Sequence, residues 1–184
     1  MQDRRGRLDG KVGIVTGAGS SGAGVGTGKA IAIMYAREGC RVLLADAVRD
    51  RAEETLAAIQ AEGGEAFVMQ ADVTQAEECR QMVEAAVDRY GGLDILVNNV
   101  GILAPGNVVD VDEDDWTRVI DTNLKSMMLT SKYAVPQMIE SGGGVIINLS
   151  SFMALRGGYE SEPVAYSASK GGVTALTTAM ASEH

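Results

Sequence analysis

Tyr166 and Lys170, in the stretch Ala165-Tyr166-Ser167-Ala168-Ser169-Lys170, pair a phenol with an ammonium four residues further on. On a helix, residues four apart project from the same face. A phenol titrates at about 10 in water, too high for easy proton exchange at neutral pH. A fixed positive charge beside it favours phenolate and lowers that value, which makes the tyrosine a usable acid/base. By itself the pair also fits an ordinary solvated helix face, so its meaning depends on the elements that hold it. The rest of the sequence offers few other proton carriers. The only histidine, His184, is the last residue and reads as a frayed end, and no cluster with metal-ligand spacing occurs. No metal site is expected, and proton transfer falls to a tuned tyrosine or a carboxylate.

The positioning elements follow from the pattern upstream. Short apolar runs at Val12–Thr16, Val42–Ala45, Ala66–Gln70, Ile95–Asn98 and Val145–Leu149 alternate with helical stretches. Those stretches lie near Lys29–Arg37, Arg49–Ala61, Gln75–Tyr90 and Asp114–Ile139, and a last helix opens near Tyr166. Alternating strands and helices predict βαβ units on a parallel sheet. The runs are apolar almost throughout, as in strands covered on both faces. Gly39, Gly63-Gly64 and Gly91-Gly92 stand where successive helices need left-handed caps. The expected fold is α/β, a Rossmann-type doubly wound parallel sheet of five strands forming one dinucleotide-binding domain over residues 1–184.

The first strand runs into Thr16-Gly17-Ala18-Gly19-Ser20-Ser21-Gly22-Ala23-Gly24-Val25-Gly26-Thr27-Gly28. Gly17, Gly19 and Gly22 spell a G-x-G-x-x-G string, but a helix starting at Gly22 would carry three interior glycines at roughly 1 kcal/mol each. Helical character begins with Lys29-Ala30-Ile31-Ala32, which places the helix start at Gly26–Gly28 after a long glycine loop. Such a terminus offers free backbone N–H groups and the positive end of the helix dipole to a pyrophosphate. The second strand ends at Asp46, where a carboxylate can accept both adenosine ribose hydroxyls and repel a 2′-phosphate. Asp46 is equally a candidate cap for the next helix, and Arg49 complicates its electrostatics. The reading favours NAD over NADP.

Composition bounds the remaining possibilities. The 184 residues are 46% hydrophobic, enough for one domain with a substantial core, and no apolar run reaches membrane-spanning length. A formal net charge of −9 argues against nucleic acid or an anionic membrane as partner. Met1–Arg7 is charged and no apolar signal core follows it, so a cytoplasmic location is expected. Cys40 and Cys79 show no metal-ligand spacing and are expected to be buried, reduced thiols. Trp116, Met127, Met128, Met138 and Met153 read as core or subunit-contact candidates.

Taken together, these residues resemble the short-chain dehydrogenase/reductases over essentially the whole chain from Leu8. The family's Thr-Gly-x-x-x-Gly-x-Gly loop appears at Thr16–Gly28, and its Asn-Asn-Ala-Gly as Asn98-Asn99-Val100-Gly101. The Asp-Val pair near the adenine matches Asp72-Val73, the helix asparagine matches Asn123, the serine matches Ser151, and the Tyr-x-x-x-Lys is Tyr166 and Lys170. The resemblance implies hydride transfer between a nicotinamide cofactor and a secondary alcohol or ketone. It gives Tyr166 the mobile proton, and gives Lys170 the tuning of Tyr166 and a hydrogen bond to the nicotinamide ribose. Ser151 would donate to the substrate oxygen, and Asn123 would fix a water linking Lys170 to solvent. Gly17, Ser20, Gly26, Thr27, Gly28, Asp46, Asp72, Val73, Asn99, Tyr166 and Lys170 are the implied cofactor contacts. The helices at Asp114–Ile139 and from Tyr166 correspond to subunit-contact helices, which implies a homodimer or homotetramer.

The chain departs from the family in three places. The glycine loop spans thirteen positions where the motif has eight, leaving open whether Ser20 or Ser21 meets the phosphates. Ser151 precedes Tyr166 by fifteen positions, longer than usual, with the excess in the loop around Tyr159, a pocket or surface residue. An alternative register would use Ser150. The sequence also stops inside or just after the Tyr166 helix, where family members continue into two further strands, a nicotinamide clamp and a lid, so it is read either as a fragment of a longer protein, the expected active species, or as a natural short form. A sheet ending at the fifth strand is expected to expose an apolar edge. The competing reading is a cofactor-binding or interaction protein without turnover.

Overall fold

The computed structural model describes residues 6–22, 24–156 and 163–184. Its strands are β1 (Val12–Thr16), β2 (Arg41–Asp46), β3 (Ala66–Gln70), β4 (Ile95–Asn98) and β5 (Val145–Asn148). Between and after them run α1 (Thr27–Arg37), α2 (Arg49–Ala61), α3 (Ala76–Tyr90), α4 (Glu113–Ile120), α5 (Ser126–Glu140) and α6 (Val164–Glu183). The strands lie in the order β3-β2-β1-β4-β5, and every pairing is parallel. The chain steps outward from β1 to β3, then crosses back to β4, so a crevice opens at the carboxyl ends of β1 and β4. The Rossmann-type sheet expected from the alternating pattern is the fold observed.

The apolar strand runs are explained by burial on two faces. Val15, Val42, Leu44 and Val97 pack on one side with Ala32 and Ala36 of α1 and Ile59 of α2. Ile14, Leu43 and Leu96 pack on the other with Met82, Val83 and Ala86 of α3 and Ala134 and Met138 of α5. β5 departs from that expectation, with Val145 56% and Ile147 38% exposed. As an edge strand, β5 has a neighbour on one side only, and these two residues share the face of their β4 register partners Ile95 and Val97. The helices over that face, α1 and α2, pack on β1, β2 and β3.

The helix expected across Asp114–Ile139 is two helices. Asp112 caps α4, its carboxylate accepting from the N–H groups of Asp114 and Asp115 at 2.9 and 3.2 Å. A π turn over Asp121–Lys125 then joins α4 to α5, and single π turns of this kind are frequent at functional sites. Met127 and Met138 are buried, whereas Trp116 and Met128 lie at the surface. Gly91 ends α3 with φ +86°, a left-handed cap that other residues adopt at a cost. Both cysteines are buried and free, and burial pushes the Cys40 thiol up to about 12 and Cys79 to about 11. They are inert packing residues at neutral pH.

Candidate cofactor cleft and active site

At the carboxyl ends of β1 and β4 the backbone is drawn together by Asn99. Its side-chain amide donates to the carbonyls of Thr16 and Gly17 at 3.1 and 3.0 Å, and its backbone N–H donates to the Thr16 hydroxyl at 3.1 Å. Gly17 turns with φ +61°. Gly28 then passes so close that a Cβ there would lie 2.0 Å from the Gly17 carbonyl oxygen and 2.6 Å from the Asn99 amide. Only glycine fits at that crossing. The result is a helix start at Thr27, capped at Gly26, within the Gly26–Gly28 window expected from sequence. No side chain caps this terminus, so its first-turn N–H groups are available to an anion. Ser20 folds inward and its hydroxyl accepts from Gly26 N–H at 2.7 Å, while Ser21 also lines the cleft.

The cleft in front of this loop has a volume of about 810 Å³, within the usual range for cofactor and ligand sites. Gly17, Ser20, Gly26, Thr27 and Gly28 line it, together with Asp46, Asp72, Val73, Asn99 and Gly101. Asp46 is not the cap of α2, whose N-cap is Val48 without a side-chain hydrogen bond. Instead its two oxygens accept from Gly19 N–H and Val48 N–H, each at 3.0 Å, which fixes the carboxylate in the lining of the cleft. Asp72 holds its turn by accepting from the Thr74 N–H and hydroxyl at 2.9 and 2.8 Å. Val73 is buried beside it, its carbonyl taking the Cys79 thiol at 3.2 Å.

Lys170 and Asn123 meet beside Gly101 and Ile102, two residues of the cleft lining, and Tyr166 stands next to Lys170. A Cβ at Gly101 would lie 3.4 Å from Lys170 Nζ and 3.7 Å from Asn123 Oδ1. Lys170 is 3% exposed; its Nζ donates to the Leu149 carbonyl at 2.6 Å and stands 5.7 Å from the centre of the Tyr166 ring. Burial lowers its pKa below the ordinary lysine value. Asn123, in the π turn, is fully buried. Its Oδ1 accepts from Ile102 N–H at 2.8 Å, and its Nδ2 donates to the Ile102 carbonyl at 2.9 Å and to the Ser169 hydroxyl at 3.0 Å. The Ser169 hydroxyl in turn donates to the Tyr166 carbonyl at 2.7 Å. Asn123 thus clamps the Gly101–Ile102 segment to the first turns of α6.

The two serine registers separate clearly. The Ser150 hydroxyl donates to the Lys170 carbonyl at 2.9 Å and lies 3.1 Å from that of Thr174, which commits it to the backbone of α6. The Ser151 oxygen accepts from Met153 N–H at 3.2 Å and caps the short 3₁₀ turn Phe152–Ala154. Val100 lines the cleft, Met153, expected in the core or at a subunit contact, lies on the 3₁₀ turn, and Tyr159, read as a pocket or surface residue, falls outside the described residues. Sequence reading missed Arg51, Arg118, Asp121 and Thr122, which also line the cleft. Asp121 and Thr122 adjoin Asn123 in the chain, a signal that was there to use. Arg49, flagged as the cation near Asp46, pairs with Glu53 at 2.8 Å and is not among the lining residues. Among the described residues no group of three or more His, Cys, Asp or Glu side chains could hold a metal, and no helix is long and apolar enough to cross a membrane.

The chain is similar to known proteins over nearly its whole length. The family model described as short chain dehydrogenase matches residues 11–184. An uncharacterized oxidoreductase of Thermotoga maritima is 41% identical over 177 residues, covering 96% of this chain and 67% of that protein. A 3-oxoacyl-[acyl-carrier-protein] reductase FabG of the same organism is 34% identical over 177 residues, covering 96% and 69% respectively. A solved 7α-hydroxysteroid dehydrogenase, in complex with NADH and 7-oxo glycochenodeoxycholic acid, superposes with a TM-score of 0.88 at 35% identity, covering 96% of this chain and 66% of that one. The chain spans about two thirds of the length of the curated relatives it matches.

Proposed function

This chain belongs to the short-chain dehydrogenase/reductase family, and we propose that it binds NAD and interconverts a secondary alcohol and a ketone, with Tyr166 as the acid/base. The observation that carries the proposal is the buried Lys170 ammonium, 5.7 Å from the centre of the Tyr166 ring and beside Gly101 of a glycine-lined cleft. The cleft fits a dinucleotide. Gly17 and Gly28 would leave the close backbone approach that a pyrophosphate needs, the uncapped α1 terminus would receive its charge, and Asp46, in the cleft lining, would accept the adenosine ribose hydroxyls. Asp72 and Val73 would border the adenine, and Asn99 would hold the loop that carries the phosphates.

When bound, the nicotinamide supplies or accepts the hydride. The chain's residues handle the proton. In the reducing direction Tyr166 gives its hydroxyl proton to the substrate oxygen, and Lys170 stabilises the negative charge left on the phenolate. Ser151 donates a hydrogen bond to the same oxygen and offsets its developing charge. Asn123 holds Ile102 and Ser169 in place, which keeps Lys170 and Tyr166 in register, and a water near it would return protons from solvent. The oxo compounds named for the FabG relative and the hydroxysteroid dehydrogenase support a carbonyl substrate. A cytoplasmic homodimer or homotetramer is the assembly that the family resemblance supports.

The test is Tyr166→Phe, assayed for reduction of a ketone panel and for NADH binding by fluorescence. The expected result is a loss of roughly 10³-fold in turnover with NADH affinity unchanged. Near-normal turnover in the variant would refute the assignment of Tyr166. Loss of NADH binding together with turnover would point to a structural role.

A further inference from the structure

We propose that Arg51 is a specificity-determining residue of the cleft, and that it gives the site a measurable capacity for the 2′-phosphate of NADP(H) despite Asp46. The proposal rests on the dinucleotide reading above. Arg51 stands in the first turn of α2 and is pressed against the glycine loop. A Cβ at Gly19 would meet Arg51 Cβ at 2.4 Å and the Asp46 carboxylate at 3.0 Å. The arginine stem and the ribose-facing carboxylate therefore flank one point of the loop.

The neighbouring cations are already neutralised. Arg49 pairs with Glu53 at 2.8 Å, and Lys29 lies 3.7 Å from Glu54. Arg51 lines the cleft, is half-buried, and has no acidic partner among the described residues. Both Asp46 oxygens are meanwhile engaged by the N–H groups of Gly19 and Val48. An arginine that lines a cleft without an acidic partner is a ready partner for a phosphate, which its guanidinium can grip through two parallel N–H donors. With NAD bound, Asp46 receives the ribose hydroxyls and Arg51 has no anion to meet. With NADP, the charge of Arg51 offsets the repulsion from Asp46. The preference for NAD is therefore graded, and the grading resides at residue 51.

The experiment titrates NADH and NADPH separately into the wild-type chain, Arg51→Ala and Arg49→Ala, following nicotinamide fluorescence. In the wild type both are expected to bind, NADH the more tightly. Arg51→Ala should weaken NADPH roughly tenfold or more, as expected for one lost charge-assisted pair, while NADH changes by less than about twofold. Arg49→Ala should alter neither. NADH affinity also reports that the variant is folded; if Arg51→Ala does not fold, Arg51→Gln keeps the stem against Gly19 and serves in its place. Equal weakening of both cofactors, or NADPH unaffected, would overturn the role of Arg51 while leaving the dinucleotide site intact. NADH binding with no NADPH binding in the wild type would do the same. Failure of both cofactors to bind the wild type would overturn the dinucleotide reading itself, and Arg51 with it.

Discussion

At Lys170 the fold keeps an ammonium almost entirely out of water, with the Leu149 carbonyl as its hydrogen-bond acceptor. Burial lowers its pKa below the ordinary 10.5, so the native state binds this proton less readily than the unfolded chain. Below the native value both states are charged and the native state bears the full desolvation cost. Between the native value and 10.5 the native lysine is already neutral while the unfolded one still holds its proton, so stability rises with pH there. Lys170→Met removes the titrating group. Urea unfolding from pH 7 upward should show the variant at least as stable as the wild type at neutral pH, with a flatter rise toward alkaline pH. Parallel curves would mean that Lys170 is solvated. The Tyr166–Lys170 pair was legible as a motif. Its burial was not, because that depends on Gly101 and Ile102, brought in from β4 and clamped by Asn123.

Among the elements, strands and helices followed the apolar periodicity closely, since β1, β2 and β4 are covered on both faces and admit few alternatives. The α1 start was legible too, because three glycines cannot sit comfortably inside a helix. The π turn at Asp121–Lys125 was not, as its composition is that of any amphipathic helix and only its hydrogen bonding differs. Ser150 and Ser151 were also inseparable by sequence, being adjacent hydroxyls whose roles are set by which one meets the α6 backbone. The crossing of Gly17 and Gly28 gives an element-scale test. Gly28→Val drives side-chain atoms into the Gly17 carbonyl and the Asn99 amide, and should cost about 3 kcal/mol in urea unfolding through overpacking, with NADH binding lost. A variant as stable as the wild type would show that the loop can move aside.

For the molecule as a whole, the sheet divides into a well-covered half and an open edge. At β5, Val145 and Ile147 are exposed, and a groove of about 350 Å³ runs between β5, α5 and α6, lined by Val135, Met138 and Met180 among others. The cleft draws on the loops that follow β1, β2, β3 and β4, and on Arg118, Asp121 and Thr122 from α4 and the π turn. No residue of β5 lines the cleft, and dinucleotide binding should not depend on what covers the β5 edge. The most direct test is a calorimetric titration of NADH into the purified chain. Saturable binding near one NADH per chain is expected, and Asp46→Arg should weaken it. A folded chain that takes up no NADH would contradict the reading of the cleft as a dinucleotide site.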